Sequence, residues 1–141
     1  MHERGAIRNR AFASQLKDFR GLRFGKITPT DIDGFLEFGD RLFVFIEGKY
    51  GGAALSVGQR LAIERLVDAC HIPPRRYSTA FIVDHATADG DVDYAAATIR
   101  AYRWDGKWLH PLQKGMTLKA GVDRMIALSN RANLRVIEGG K

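Results

Sequence analysis

Residues 28–49 read TPTDIDGFLEFGDRLFVFIEGK, and they decide the reading of the chain. The stretch spells two β-strands joined by a tight turn. Strand side chains alternate between faces. Phe43, Phe45, Glu47 and Lys49 therefore share one face of the second strand, and Leu42, Val44, Ile46 and Gly48 the other. In the first strand Asp31, Asp33, Phe35 and Glu37 share a face. A carboxylate and a lysine two residues apart at the end of an apolar strand are costly to place there. Partly buried charges need partners or a metal ion.

The loop length decides whether the two acidic strands cooperate. If Gly39, Asp40 and Arg41 form the loop, Phe38 pairs with Leu42 and Asp33 falls opposite Glu47. Opposed Cβ atoms lie roughly 5 Å apart, close enough for two carboxylates to hold one divalent cation. A two-residue loop, Gly39-Asp40, puts Asp33 on the other face. Gly-Asp suits either turn. The three-residue loop is the one we expect.

An Asp at the start of one strand, a hairpin, then Glu-x-Lys on the next strand resembles the core motif of the PD-(D/E)xK nuclease superfamily. Asp33 matches the first acid, with Asp31 the alternative; Glu47 matches the second acid and Lys49 the lysine. A literal Pro-Asp is absent, and Pro29-Thr30-Asp31 comes near it. The resemblance implies an α/β fold with a restriction-endonuclease-like αβββαβ core, a central mixed sheet flanked by helices. It also implies Mg2+, with Mn2+ as substitute, held by Asp33, Glu47 and the Gly48 carbonyl. Lys49 would position the attacking water or stabilise the transition state.

A chain of 141 residues is expected to form a single domain, 1–141. A net charge of +6 favours a polyanionic partner such as nucleic acid, although many proteins carry such a charge without binding any. Cys70 is the only cysteine, which excludes an intramolecular disulfide and a cysteine-based zinc site. That fits a reducing compartment, and a cytoplasmic location is expected. MHERGAIRNR has no apolar core, so no signal peptide is expected. No apolar run approaches the ~20 residues that span a membrane.

Residues 8–20 show helical spacing in Ala11, Phe12, Leu16 and Phe19. Asp18 reads as a solvated acid on that helix. Residues 22–27 read as a short strand weakened at Gly25. Residues 56–70 are the clearest helix, with Gln59, Ile63, Leu66 and Cys70 on one stripe. Ser56 and Gln59 spell a capping box, in which the glutamine side chain bonds back to the Ser56 backbone. The superfamily often has a glutamine early in this helix, near the metal, so capping and site-lining both stand for Gln59.

A strand is expected over 77–84, an acidic turn over 85–93, and a long strand over 94–104. Asp105-Gly106 is a hairpin turn. Trp104 and Trp108 flank it and read as a packing pair across the hairpin. Thr117 caps a last helix over 117–130, with Leu118, Val122, Met125 and Ile126 inward. The four histidines, His2, His71, His85 and His110, read as surface or loop residues.

This order resembles the superfamily core over nearly the whole chain. It implies a metal-dependent nuclease of DNA, first a structure-selective endonuclease similar to Holliday-junction resolvases, acting as a homodimer, and second an exonuclease or nickase. Arg8, Arg10, Arg60, Arg75, Arg76 and Lys114 are the expected backbone contacts. The alternatives are a catalytically silent nucleic-acid-binding protein and a protein-interaction module.

Overall fold

The structure, a computed structural model, describes residues 17–139. The chain divides into two units, residues 1–30 and residues 31–141. In the first, Arg20–Leu22 form a single 3-10 turn, and Asp18 is exposed and bonded to the Arg20 guanidinium at 2.8 Å. Most of the helix expected over 8–20 lies outside the described residues. Of its last four residues, 17–19 have no regular structure. The strand expected over 22–27 is absent. Phe24 and Ile27 instead exchange backbone hydrogen bonds around Gly25, whose φ of +64° makes a turn that an extended strand cannot accommodate.

The second unit is α/β, with a five-stranded mixed sheet and two helices. The sheet runs β1 (Gly34–Phe38), β2 (Leu42–Tyr50), β3 (Tyr77–His85), β4 (Thr98–Trp104) and β5 (Lys107–Leu109), adjacent in chain order. All pairings are antiparallel except β2 with β3. A parallel pair needs a crossover, and α1 (Val57–Cys70) supplies it. The second helix, α2, is Leu118–Gly139. It begins one residue after Thr117, whose hydroxyl accepts from the Ala120 N–H at 3.2 Å, as the capping pattern predicts. It continues past Asn130, where the expected helix ended.

The alternation read from β2 is what the fold uses. Leu42 and Val44 join Phe81, Val83 and Ile99 on one face, under Leu118 and Val122 of α2. Phe45 joins Ala80 on the other, under Ile63 and Val67 of α1. β3 is buried from Ser78 to Val83, because helices cover both its faces. Leu66 is left at the surface, where the expected stripe had placed it inward. The stripe runs through Val67 instead.

Two further readings change. The strand expected from Tyr94 starts only at Thr98; Tyr94–Ala96 make a 3-10 turn capped by Asp93, whose carboxylate accepts from the Ala95 N–H at 3.1 Å. The Asp105-Gly106 turn forms with both φ positive, but its two-residue loop pairs Trp104 with Lys107 and Arg103 with Trp108. The tryptophans therefore stand on opposite faces. Trp104 stacks on Tyr77, with ring centroids 5.7 Å apart, and Trp108 donates to Glu64 at 2.7 Å.

His71 is also displaced from the surface: its ring Nδ1 accepts from the Ser78 N–H at 3.0 Å, and Trp104 packs edge-on against it. His85 ends β3 instead of opening a loop.

Ile63 is the central pin of α1. Replacing it with alanine is expected to cost about 2–5 kcal/mol, measured as a lower urea midpoint with unchanged slope. An unchanged midpoint contradicts the packing described.

Candidate active site

The hairpin has the three-residue loop. Phe38 pairs with Leu42 and Gly34 with Ile46. The turn closes with Arg41 N–H donating to the Phe38 carbonyl at 3.0 Å, and Gly39 and Asp40 take φ of 57° and 60°. One more residue in the same register sets Asp33 opposite Glu47. β1 itself stops at Gly34, so Asp33 stands just beyond the strand. Its Oδ2 accepts from the Gly48 N–H at 2.7 Å and from the Tyr94 hydroxyl at 3.4 Å.

Glu47 is buried, with 6% of its surface exposed. Its Oε1 accepts from Gln59 Nε2 at 2.7 Å, and Lys49 Nζ stands 3.5 Å away. The same lysine donates to Gln59 Oε1 at 3.1 Å. Gln59 thus uses both ends of its amide to hold the acid and the lysine together. Its backbone N–H meanwhile donates to Ser56 Oγ at 3.1 Å. The two roles open for Gln59 divide between its parts: the backbone caps the helix and the side chain lines the site. The return bond of a full capping box is not made.

Glu47 Oε2 is buried and has no hydrogen-bond partner. Burial and the nearby charge of Asp33 push the Glu47 carboxyl above the usual glutamate range, against the pull of Gln59 and Lys49. A buried oxygen with spare lone pairs, beside a second carboxylate, is a place for a cation or a proton. Among the described residues, no three His, Cys, Asp or Glu side chains gather as a metal site. Two carboxylates nevertheless suit Mg2+, which keeps several waters and takes one or two protein carboxylates.

Tyr94 was missed in the sequence because that position read as strand. In the 3-10 turn its ring lies against Gly48, where an added Cβ would meet ring atoms at 2.5–2.9 Å. Gly48 is therefore glycine because the tyrosine occupies its side-chain space. Burial and the charge of Asp33 push the Tyr94 hydroxyl up to about 12. It stays protonated at neutral pH and serves as a donor to Asp33.

Among the described residues, the expected nucleic-acid contacts are spread over the fold. Arg8 and Arg10 lie outside the described residues. Arg75 and Arg76 both bond Asp40, in the β1–β2 turn. That is the opposite end of β2 from Glu47, seven residues away, or about 23 Å of strand. Arg76 also lies over the Phe43 ring. Arg60, one residue from Gln59 on α1, bonds Glu64 at 2.8 Å, and Lys114 is exposed in the loop before α2. Asp31 precedes the strand and is exposed.

No family model, no curated protein and no solved structure matches this chain.

The Glu47 environment sets a pH dependence. A carboxyl raised on folding favours the folded state while protonated, and that stability is lost as pH rises above about 4.5 through the raised value. Asp40, Asp68 and Asp84, held by arginines, and Glu64, held chiefly by Trp108 and Arg60, are lowered and act in the other window. Their stabilisation is present above the ordinary carboxyl range and lost as pH falls. In chelator, the melting temperature is expected to decline between pH 5 and neutrality, and Glu47→Gln to flatten that decline while leaving the acid limb intact. Equal slopes in the two proteins would contradict the assigned environment.

Proposed function

We propose that the chain is a metal-dependent nuclease, hydrolysing DNA phosphodiester bonds on a restriction-endonuclease-like variant of its α/β fold. One observation carries the proposal: the buried, unpartnered Glu47 Oε2, next to Asp33 and in reach of Lys49. Burying a carboxylate with an orphaned oxygen costs stability that packing alone does not recover. The order hairpin, helix, parallel strand supports the finer fold reading. Two strands precede α1 among the described residues, where the superfamily core has three.

Asp33 and Glu47 would hold Mg2+ or Mn2+. When bound, the ion neutralises charge on the phosphate oxygens and lowers the pKa of a coordinated water. The remaining work belongs to the chain. Gln59 holds Lys49 Nζ beside Glu47, so the ammonium already faces the place where phosphorane charge develops, and no reorganisation is needed there. Tyr94 and the Gly48 N–H together fix Asp33 Oδ2 at the strand end. The α1 N-terminus, opening at Ser56 on the same side, offers its positive end to a phosphate. A structure-selective endonuclease acting as a homodimer is the subclass we propose.

The test is cleavage of labelled single strand, duplex, flap, four-way junction and RNA in Mg2+, Mn2+ and chelator. Wild type is expected to cut a DNA substrate only with metal. Glu47→Ala and Asp33→Ala are expected to abolish cutting, and Lys49→Ala to slow it by about 10²–10³-fold. Folded wild type that cuts nothing overturns the proposal; salt-dependent DNA binding by that sample then marks a silent binder, and no binding an interaction module.

Gly48→Ala supplies a structural check. The new methyl displaces Tyr94, so Mg2+ is expected to raise the melting temperature of wild type and not of this variant. An equal rise in both overturns the role given to the Tyr94–Gly48 contact.

A further inference from the structure

One residue of β4 is out of step with β3. Asp84 pairs with Thr98 and Val83 with Ile99, but Ile82 pairs with Ala101. Arg100 is therefore the extra residue of a β-bulge, an irregularity that bends a strand and re-aims a side chain. Its guanidinium donates through Nε, at 3.0 Å, and through one terminal nitrogen to the two oxygens of Asp84.

Asp84 lies beside the site. It pairs with Lys49 across the parallel β2–β3 ladder, so the two side chains stand on one face with backbones about 4.8 Å apart. That face also carries Glu47, two residues before Lys49. The Gly52 N–H, in the turn that follows β2, helps Arg100 hold the Asp84 carboxyl below the usual range, and the Gly51 N–H donates to the His85 carbonyl at 3.0 Å. Asp84 thus stands by the turn after Lys49 and holds Arg100 in the same neighbourhood.

The geometry points to Arg100 as a second phosphate-contacting cation of this site, engaging a non-bridging oxygen of the nucleic-acid backbone next to the phosphodiester at Lys49. The inference rests on the nuclease reading. The Asp84 pairing occupies one edge of the guanidinium, and 27% of the side chain is exposed. The second terminal nitrogen has no partner among the described residues. A guanidinium held in a fork by a carboxylate is already ordered, so it loses little freedom on meeting a phosphate, and its planar donors match phosphate oxygens. A bulge also removes ladder hydrogen bonds. An ion pair that only tied β3 to β4 would not need the strand interrupted at the arginine that bonds the ladder partner of Lys49.

The experiment is DNA binding by fluorescence anisotropy in chelator across a salt series, run alongside cleavage in Mg2+, for wild type, Arg100→Gln and Arg100→Lys. Melting curves establish that each is folded. Arg100→Gln is expected to weaken binding about tenfold and to lower the salt slope by about one. Its KM should rise more than its kcat falls. Arg100→Lys keeps the charge and a tie to Asp84, so it should keep the wild-type salt slope and bind several-fold more weakly; it decides the matter if the glutamine variant does not fold.

Wild-type affinity in the folded variants, with wild type binding DNA, leaves Arg100 as a strand tie and overturns the inference alone. Binding lost in Arg100→Gln from a wild type that never cleaves overturns the nuclease reading and retains the contact. A wild type that neither binds nor cleaves overturns both.

Discussion

Parallel pairing of β2 with β3 is the constraint from which the rest follows. Nine residue pairs in register, from Leu42–Tyr77 to Tyr50–His85, bring the C-terminal ends of both strands to one edge of the sheet. Glu47 and Lys49 arrive there from β2, and Asp84 from β3. The crossover must leave from that same edge, so the first turn of α1 starts beside the strand ends and Gln59 falls within reach of Glu47. An antiparallel return would have brought the start of β3, with Arg75 and Arg76, to this edge instead. Open α/β sheets place ligands at the carboxyl ends of their strands for this reason. The collection of charge at one end of this sheet is a product of topology before it is a product of any single residue.

Within that frame the polar groups are held by one another at some expense to stability. Glu47 is the extreme case: it is buried, opposed by Asp33, and satisfied at one oxygen only. The other side chains around it read as a scaffold for that carboxylate. Gln59 fixes one oxygen, and Lys49 offsets part of the charge. Tyr94 and Gly48 hold Asp33 from the far side. Strain of this kind persists where surrounding packing over-determines it, and here Ile63 and Val67 supply the packing. The apolar contacts of α1 and the polar contacts of its first turn are therefore one device. The helix cannot shift to relieve Glu47 without uncovering Phe45 and Ala80.

The parts of this arrangement legible in the sequence are those set by period and spacing. Alternation in β2 told which face Glu47 and Lys49 share; the three-residue loop was expected without a local signal that decides it, and the Phe38–Leu42 pairing establishes it. Helix α1 was readable from its stripe, the caps from Ser56 and Thr117, and the second hairpin from Asp105-Gly106. What failed depended on tertiary contact. Tyr94 continues an apolar run into β4 and reads as strand, yet Asp93 caps a 3-10 turn there and swings the ring onto Gly48. No local signal carries that; a glycine inside an otherwise bulky strand was the only hint that something approaches closely. Leu66 sits within the period of α1 but beyond the width of sheet that the helix covers. Arg100 was invisible because a bulge is a property of two strands, and one strand's sequence does not contain it.

The charge argument illustrates the same limit from the other side. A net charge of +6 was read as a surface suited to polyanions, yet the structure binds much of the positive charge internally. Asp40 holds Arg75 and Arg76, Asp68 holds Arg103, Glu64 holds Arg60, and Asp123 holds Lys119. Most of these pairs tie one element to the next: the first hairpin turn to the start of β3, and α1 to β4. The +6 already counts these carboxylates, and what pairing changes is where each cation is engaged, since field at a surface follows arrangement and not the total. Next to Glu47 stands Lys49, held by Gln59 and by Glu47 itself, and Asp84, the ladder partner of Lys49, holds Arg100. Lys49 and the positive end of α1 therefore act over short distances beside a carboxylate that is buried, where charge is screened least.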